Sequence, residues 1–334
     1  MLGHYLTHTQ IGDLVQRRSE RRDFFKKSSG FAAGIAGGAI LTACGGGSGG
    51  AVAQAPAPAP APAPAVAGPS DADIFNFALN LEYLEAQFYA FAANGMGLPA
   101  AQLTGTGTQG AVTGGRAVTF VDPVVRQYAK EIAGDEIKHV AFLRTTLGAS
   151  AVAQPALDIG GTDPNGAFST AARAAGLVGP GVAFDPYASD ENFLLAAYIF
   201  EDVGVTAYKG ASPLIQNKTF LEAAAGILAA EAYHAGLIRT VLYAKGVATP
   251  TLRTSADAIS NARDSLDNNQ DVDQGISQIG DSSNIVPLDS NGLAYSRTPG
   301  DVLNIVYLNS GAVSRGGFFP AGVNGALVLS SALA

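Results

Sequence analysis

"LAAEAYHAGL" (residues 228–237) sets one acid, Glu231, and one imidazole, His234, into an otherwise apolar, alanine-rich stretch. Alanine, leucine and isoleucine around it favour a helix. On a helix, positions three apart share a face one turn apart. If that face points inward, a carboxylate and an imidazole are buried together. Such burial is costly unless the pair is satisfied or holds a metal. The fold therefore hangs on whether other helices supply matching polar groups.

They do. "GDEIKH" (134–139) repeats the spacing with Glu136 and His139, on a face that continues through Ile132 and Leu143. "LLAAYIFEDVGVTAY" (194–208) carries Glu201, and "FALNLEYLEAQFYAF" (77–91) carries Glu82 and Glu85. Each of these runs lies within a longer helical pattern. The expected helices cover 71–95 after Ser70, 122–148 with Pro123 at its start, 189–210, and 218–246 before a glycine stop. The chain is thus read as all-α, a four-helix bundle with no convincing strands between its helices. A link of about 40 residues joins helices two and three and holds a short helical pattern at "FSTAARAAG" (168–176). A long middle crossover is the mark of ferritin-like connectivity rather than a simple up-down bundle. The long first connection, 96–121, argues against a closed storage cage.

The polar set in helix order is Glu82, Glu136-x-x-His139, Glu201, Glu231-x-x-His234. This is a ligand set for a dinuclear carboxylate centre in a bundle core. Two divalent ions about 3.5–4 Å apart need bridging anions. Glu136 and Glu231 suit that role, with His139 and His234 each capping one ion and Glu82 and Glu201 terminal. Four carboxylates balance two divalent ions, and hard oxygen donors with one imidazole each favour iron or manganese, zinc remaining open. Glu82 and Glu201 are each followed seven residues later by a tyrosine, Tyr89 and Tyr208. Two turns on, each tyrosine can reach a ligand across the bundle. The repeat selects Glu82 over Glu85, which becomes a neighbouring or alternative ligand. Asp135 and Asp202, each beside a proposed ligand, are placed to orient a histidine. Glu131 and Glu222 are read as outward.

The N-terminal part reads differently. Arg21 and Arg22 in "RRDFFK" resemble a twin-arginine export signal, and "LTAC" ending at Cys44 resembles a lipobox. Residues 1–43 are read as the signal and 44–69 as a Gly/Ser and Ala-Pro spacer. Cys44, the single cysteine, would carry lipid and tether the chain to a membrane. Gly45 and Gly46 lack the aspartate that retains lipoproteins at the inner membrane, which favours the outer one. Residues 1–43 hold six Lys/Arg and three Asp/Glu, leaving 14 against 25 and a net charge of −11 in the remainder. An acidic chain without a basic block is a poor nucleic-acid partner.

Residues 70–247, with "IFNFALNLEYLEAQFYAF" (74–91), resemble the ferritin-like superfamily. "RTPGDVLNIVYLNSGAVSRGGFFPAGVNGAL" (297–327) narrows the resemblance to plant desiccation-related proteins and their bacterial ferritin-like relatives. The resemblance implies a diiron or dimanganese protein that reacts with oxygen or peroxide in stress protection. Its alternative is a non-catalytic protective protein with a structural metal. Residues 248–334 are read as an irregular extension packed on the bundle, with a short helix at Pro299 and a surface available to a homodimer.

Overall fold

The computed structural model describes residues 68–267 and 270–332. Arg21, Arg22, Cys44 and the spacer through residue 67 lie outside them. Four long helices form the body: α1 (Asp71–Asn94), α2 (Pro123–Leu147), α4 (Asp190–Ala211) and α5 (Lys218–Ala248). A short α3 (Ala167–Ala174) lies in the crossover, and α6 (Thr251–Asp264) and α7 (Pro299–Tyr307) follow the bundle. Among the described residues no helix is long and apolar enough to cross a membrane.

Side-chain caps start each long helix. Ser70 and Asp73 form a reciprocal capping box, and the side chains of Asp122, Ser189 and Asn217 accept from backbone amides of the first turn. Cross-links at the ends fix antiparallel neighbours. Lys245, late in α5, reaches Glu191 at the start of α4 (2.9 Å) and Asp122 before α2 (3.5 Å). Asp71, at the start of α1, accepts from the amides of Gln216 and Asn217 just past α4. Phe88, Phe168, Phe193, Phe200 and Phe318 pack ring on ring in the core, drawing on α1, α3, α4 and the extension.

The two long connections meet in a small parallel pair, β1 (Val112–Gly114) with β2 (Leu157–Ile159). These three-residue strands lie in connections where the sequence showed no convincing run of strands, and the bundle itself remains all-α. The extension is also more ordered than expected. In α6, Leu252, Ala256, Ile259 and Arg263 are buried one or two turns apart. Its polar composition hides this face, because one of the inward residues is an arginine. The extension reaches back to the start of the bundle: Asn80 on α1 donates to Asn324 O (2.8 Å) and accepts from Asn324 N (2.9 Å).

Candidate metal centre

The bundle brings the four proposed glutamates and both histidines to one place at its middle. Glu82, Glu136, Glu201 and Glu231 are each no more than 2 % exposed. His139 Nδ1 lies 3.2 Å from Glu82 Oε2, 3.5 Å from Glu136 Oε2 and 3.6 Å from Glu231 Oε1. His234 Nδ1 lies 3.1 Å from Glu136 Oε1 and 3.6 Å from Glu201 Oε2. Two groups of donor atoms result, Glu82/Glu136/His139/Glu231 and Glu201/Glu231/His234, each with its atoms within 4.8 Å of one another. Ligands about 2.0–2.2 Å from one ion are separated by distances of this order. Glu231 belongs to both groups, and Glu136 turns one oxygen toward each histidine. These are the positions bridging carboxylates would hold.

The polar atoms in the middle are not satisfied by protein. Glu82 Oε2, both oxygens of Glu136 and Glu231, Glu201 Oε2, and Nδ1 of both histidines are buried without a hydrogen-bond partner. The ring nitrogens are close to several oxygens but aligned with none. Buried polar atoms rarely remain unpaired. The donors are hard oxygens and imidazole nitrogens, so they fit iron, manganese or zinc. The outer oxygens, by contrast, are held. The Tyr89 hydroxyl donates to Glu201 Oε1 and the Tyr208 hydroxyl donates to Glu82 Oε1. Each tyrosine thus crosses to the glutamate of the other helix, α1 to α4 and α4 to α1.

Electrostatics follow from this crowding. Burial raises the Glu82 carboxyl to about 7 and the Glu201 carboxyl to about 8, and neighbouring Glu136 adds to both. Burial also pushes Glu231 well above the usual carboxylate range, with Glu136 and Glu85 adding. Against its burial, Glu136 is held down to about 2 by the adjacent imidazoles. Burial opposes charging of the imidazoles, yet the carboxylates around them raise His139 to about 11 and His234 to about 9. Without metal, both imidazoles and part of the carboxyl set hold protons near neutral pH, while Glu136 stays ionised between the two rings.

The remaining expected residues divide. Asp135 Oδ2 lies 3.6 Å from His234 Nε2, while its Oδ1 pairs with exposed Lys138 at 3.0 Å. Glu85 is buried but falls outside both donor groups, lining a small cavity with Phe200, Val203, Gly204 and Phe318. Asp202 does not orient a histidine. Its Oδ2 instead accepts from Arg239 (2.8 Å) and Arg263 (2.9 Å), two arginines of α5 and α6. Asp273, Asp267 and Arg297 extend this buried ion network into the extension. Glu131 and Glu222 face outward.

One residue of the site escaped the sequence reading. At Gly204 an added Cβ would stand 2.3 Å from Glu231 Oε2, so the absence of a side chain on α4 makes room for that carboxylate. Its signal was a glycine in mid-helix, three residues after Glu201, where glycine costs about 1 kcal/mol against alanine.

Residues 70–244 match the ferritin-like domain family. The chain is 30 % identical over 273 residues to the ferritin-like catalase Nec2 of Nesocodon mauritianus, covering 77 % of this chain and 84 % of that protein. It is 32 % identical over 243 residues to the desiccation-related protein PCC13-62 of Craterostigma plantagineum, covering 69 % of this chain and 75 % of that one. No solved structure matches it. With its helices, its crossover and its carboxylate–imidazole cluster in place, this chain belongs to the ferritin-like family, close to the desiccation-related proteins.

Proposed function

We propose that this chain is an exported oxidoreductase that removes peroxide at a centre of two iron or manganese ions. The observation that carries this reading is the set of buried, unpartnered oxygens and nitrogens forming two donor groups joined at Glu231. Glu82, Glu136 and His139 would hold one ion and Glu201 and His234 the other, with Glu231 and Glu136 between them. When bound, such a pair of ions would supply the two-electron exchange by which two peroxides become one dioxygen and two waters without an outside reductant. The chain's own part is to position. Tyr208 and Tyr89 fix the outer oxygens of Glu82 and Glu201, leaving the inner ones directed at the centre. The similarity to a protein named a ferritin-like catalase supports peroxide over iron storage as the task.

The localisation belongs to the same proposal. Arg21 and Arg22 would direct export, and lipid on Cys44 would hold the domain at a membrane, the outer one favoured, beyond an Ala-Pro spacer. The similarity to a desiccation-related protein favours a second reading, in which the ions serve stability in a protective protein. Metal analysis of the purified protein, followed by oxygen evolution from peroxide, tests the choice. Two ions per chain with catalytic oxygen release supports the enzyme. Two ions with no turnover of peroxide supports the structural role, and a metal-free protein that gains no stability from iron or manganese overturns both.

A further inference from the structure

A cleft of about 610 Å³ opens beside His234, between α2, α5 and the extension. Peroxide does not need this space. A water occupies about 30 Å³ of the liquid, and peroxide on the order of twice that. Volumes of 300–1,000 Å³ are typical of sites for small organic ligands. Tyr128, Tyr233, Leu237 and Ile285 give the cleft aromatic and aliphatic walls. Its lining holds the acids Glu131 and Asp135 and no lysine or arginine, and its one imidazole, His234, faces a carboxylate on either side, Glu136 inward and Asp135 outward. Such a surface repels organic anions and accepts neutral or cationic aromatic rings.

The cleft also abuts the centre directly. His234 turns Nδ1 inward, 3.1 Å from Glu136 Oε1, and Nε2 outward, 3.6 Å from Asp135 Oδ2. Its ring is the wall between cleft and centre. We propose that this cleft binds an aromatic reductant, a phenol or aromatic amine, which the centre oxidises at the expense of peroxide. This rests on the peroxide reading above. For a phenol, two molecules each lose one electron through the His234 side of the centre, and their O–H protons pass to water in the open cleft. One peroxide takes up the two electrons and two protons, its O–O bond breaks, and two waters form. The organic products are two phenoxyl radicals.

Gly236 allows a direct test. It lines the cleft, and beyond its chain neighbours and the backbone of its own helix nothing lies within 4 Å of where its Cβ would stand. The Cβ of Gly236→Phe therefore meets no neighbour, and its ring has the open cleft to occupy. Binding is measured first on metal-free protein, by fluorescence of neutral naphthol and of anionic naphthalenesulfonate. Naphthol should bind saturably and be displaced by guaiacol, with at least tenfold weaker binding for the sulfonate and for naphthol in Gly236→Phe. In metal-loaded protein, KM for peroxide-driven guaiacol oxidation should rise at least tenfold in the variant, with the metal content of the parent. Equal naphthol binding by parent and variant overturns the proposal. So does peroxide consumption by the parent with no guaiacol oxidation. A parent dimer that Gly236→Phe splits, with no naphthol bound in either form, assigns the cleft to a second copy instead and also overturns it. A parent that holds no metal defeats the proposed function rather than the binding site, which the naphthol titration decides alone.

Discussion

An alanine at position 204 would place its Cβ 2.3 Å from Glu231 Oε2 and 3.1 Å from Glu231 Cδ. An ordinary contact begins near 3.4 Å, so the carboxylate must retreat by about 1 Å. Metal–ligand distances tolerate about 0.2 Å. The retreat is therefore some five times what coordination allows, and it strikes the one carboxylate shared by both donor groups. Loss of supporting contacts alone weakens metal sites by about 10–100-fold, so Gly204→Ala should weaken binding at least to the upper end of that range. A hundredfold loss is about 2.7 kcal/mol of metal-linked stability, or roughly 5–10 °C in Tm for a domain of this size. Metal-free protein should respond differently. The atom in the way is the end of a flexible side chain, and alanine gains about 1 kcal/mol of helix propensity over glycine. In chelator, Tm should stay level or rise by about 2–4 °C. Gly226→Ala is the control, because Gly226 is on the exposed face of α5 with nothing near its Cβ position. It should gain the propensity and keep the metal. The assay is elemental analysis with thermal melts in chelator and in added manganese or iron. If Gly204→Ala binds metal like the parent, Glu231 is not a shared ligand. If it unfolds in chelator, the backbone rather than the carboxylate absorbs the contact, and the reasoning fails.

The double change Glu231→Ala/His234→Ala should abolish paired metal binding while leaving metal-free stability nearly unchanged, since it relieves crowding among buried carboxyls; a large fall of Tm in chelator would contradict this. The pH profile has a definite sign. In the folded metal-free state Glu82 and Glu201 are raised from 4.5 to about 7 and 8, and His139 and His234 from 6.5 to about 11 and 9. Their stabilisation is full below the unfolded values and lost as pH rises through the folded ones, while the depressed Glu136 contributes oppositely only below pH 4.5. Tm in chelator should thus fall between pH 5 and 9, and metal binding near pH 7 should release protons, read by calorimetry in two buffers; a flat profile with no proton release would refute it. Arg239→Ala removes one partner of the buried Asp202 cluster and should cost about 3–5 kcal/mol, with proteolysis of the 274–284 loop as a local readout, since Arg239 donates to Gln274 O, Gly275 O and Asn284 O. Cys44→Ala should move the protein out of the membrane fraction, and unchanged fractionation would exclude a lipid anchor there.

The helices and the donor set were legible because polar residues are scarce on the inward faces. In the stretch 228–237, Glu231 and His234 stand out against alanine and leucine, and the same contrast marks Glu136 and His139. The tyrosine pairing was legible in spacing, since Tyr89 and Tyr208 each fall two turns from a glutamate. Asp202 was not legible: its partners, Arg239 and Arg263, are 37 and 61 residues away, and no local pattern couples them. Helix α6 was concealed for a related reason, its inward arginine making a buried face look solvated. The strands β1 and β2 were invisible because three residues in glycine-rich connections carry no period, and only their mutual hydrogen bonds define them.

The pairing of Asn80 with Asn324 spans 244 positions. Helix α1 is buried on nearly every side, and part of its cover comes from residues more than 220 positions later in the chain. During synthesis this apolar helix must wait, exposed or sheltered by a chaperone, until residues beyond 318 arrive to close over Asn80 and the phenylalanine cluster. Such long-range closure slows folding and lengthens exposure to aggregation. The cooperative unit is consequently larger than the segment 70–244 that carries the family signature. A fragment cut at that boundary would keep every proposed metal donor and lose the lid of its own core.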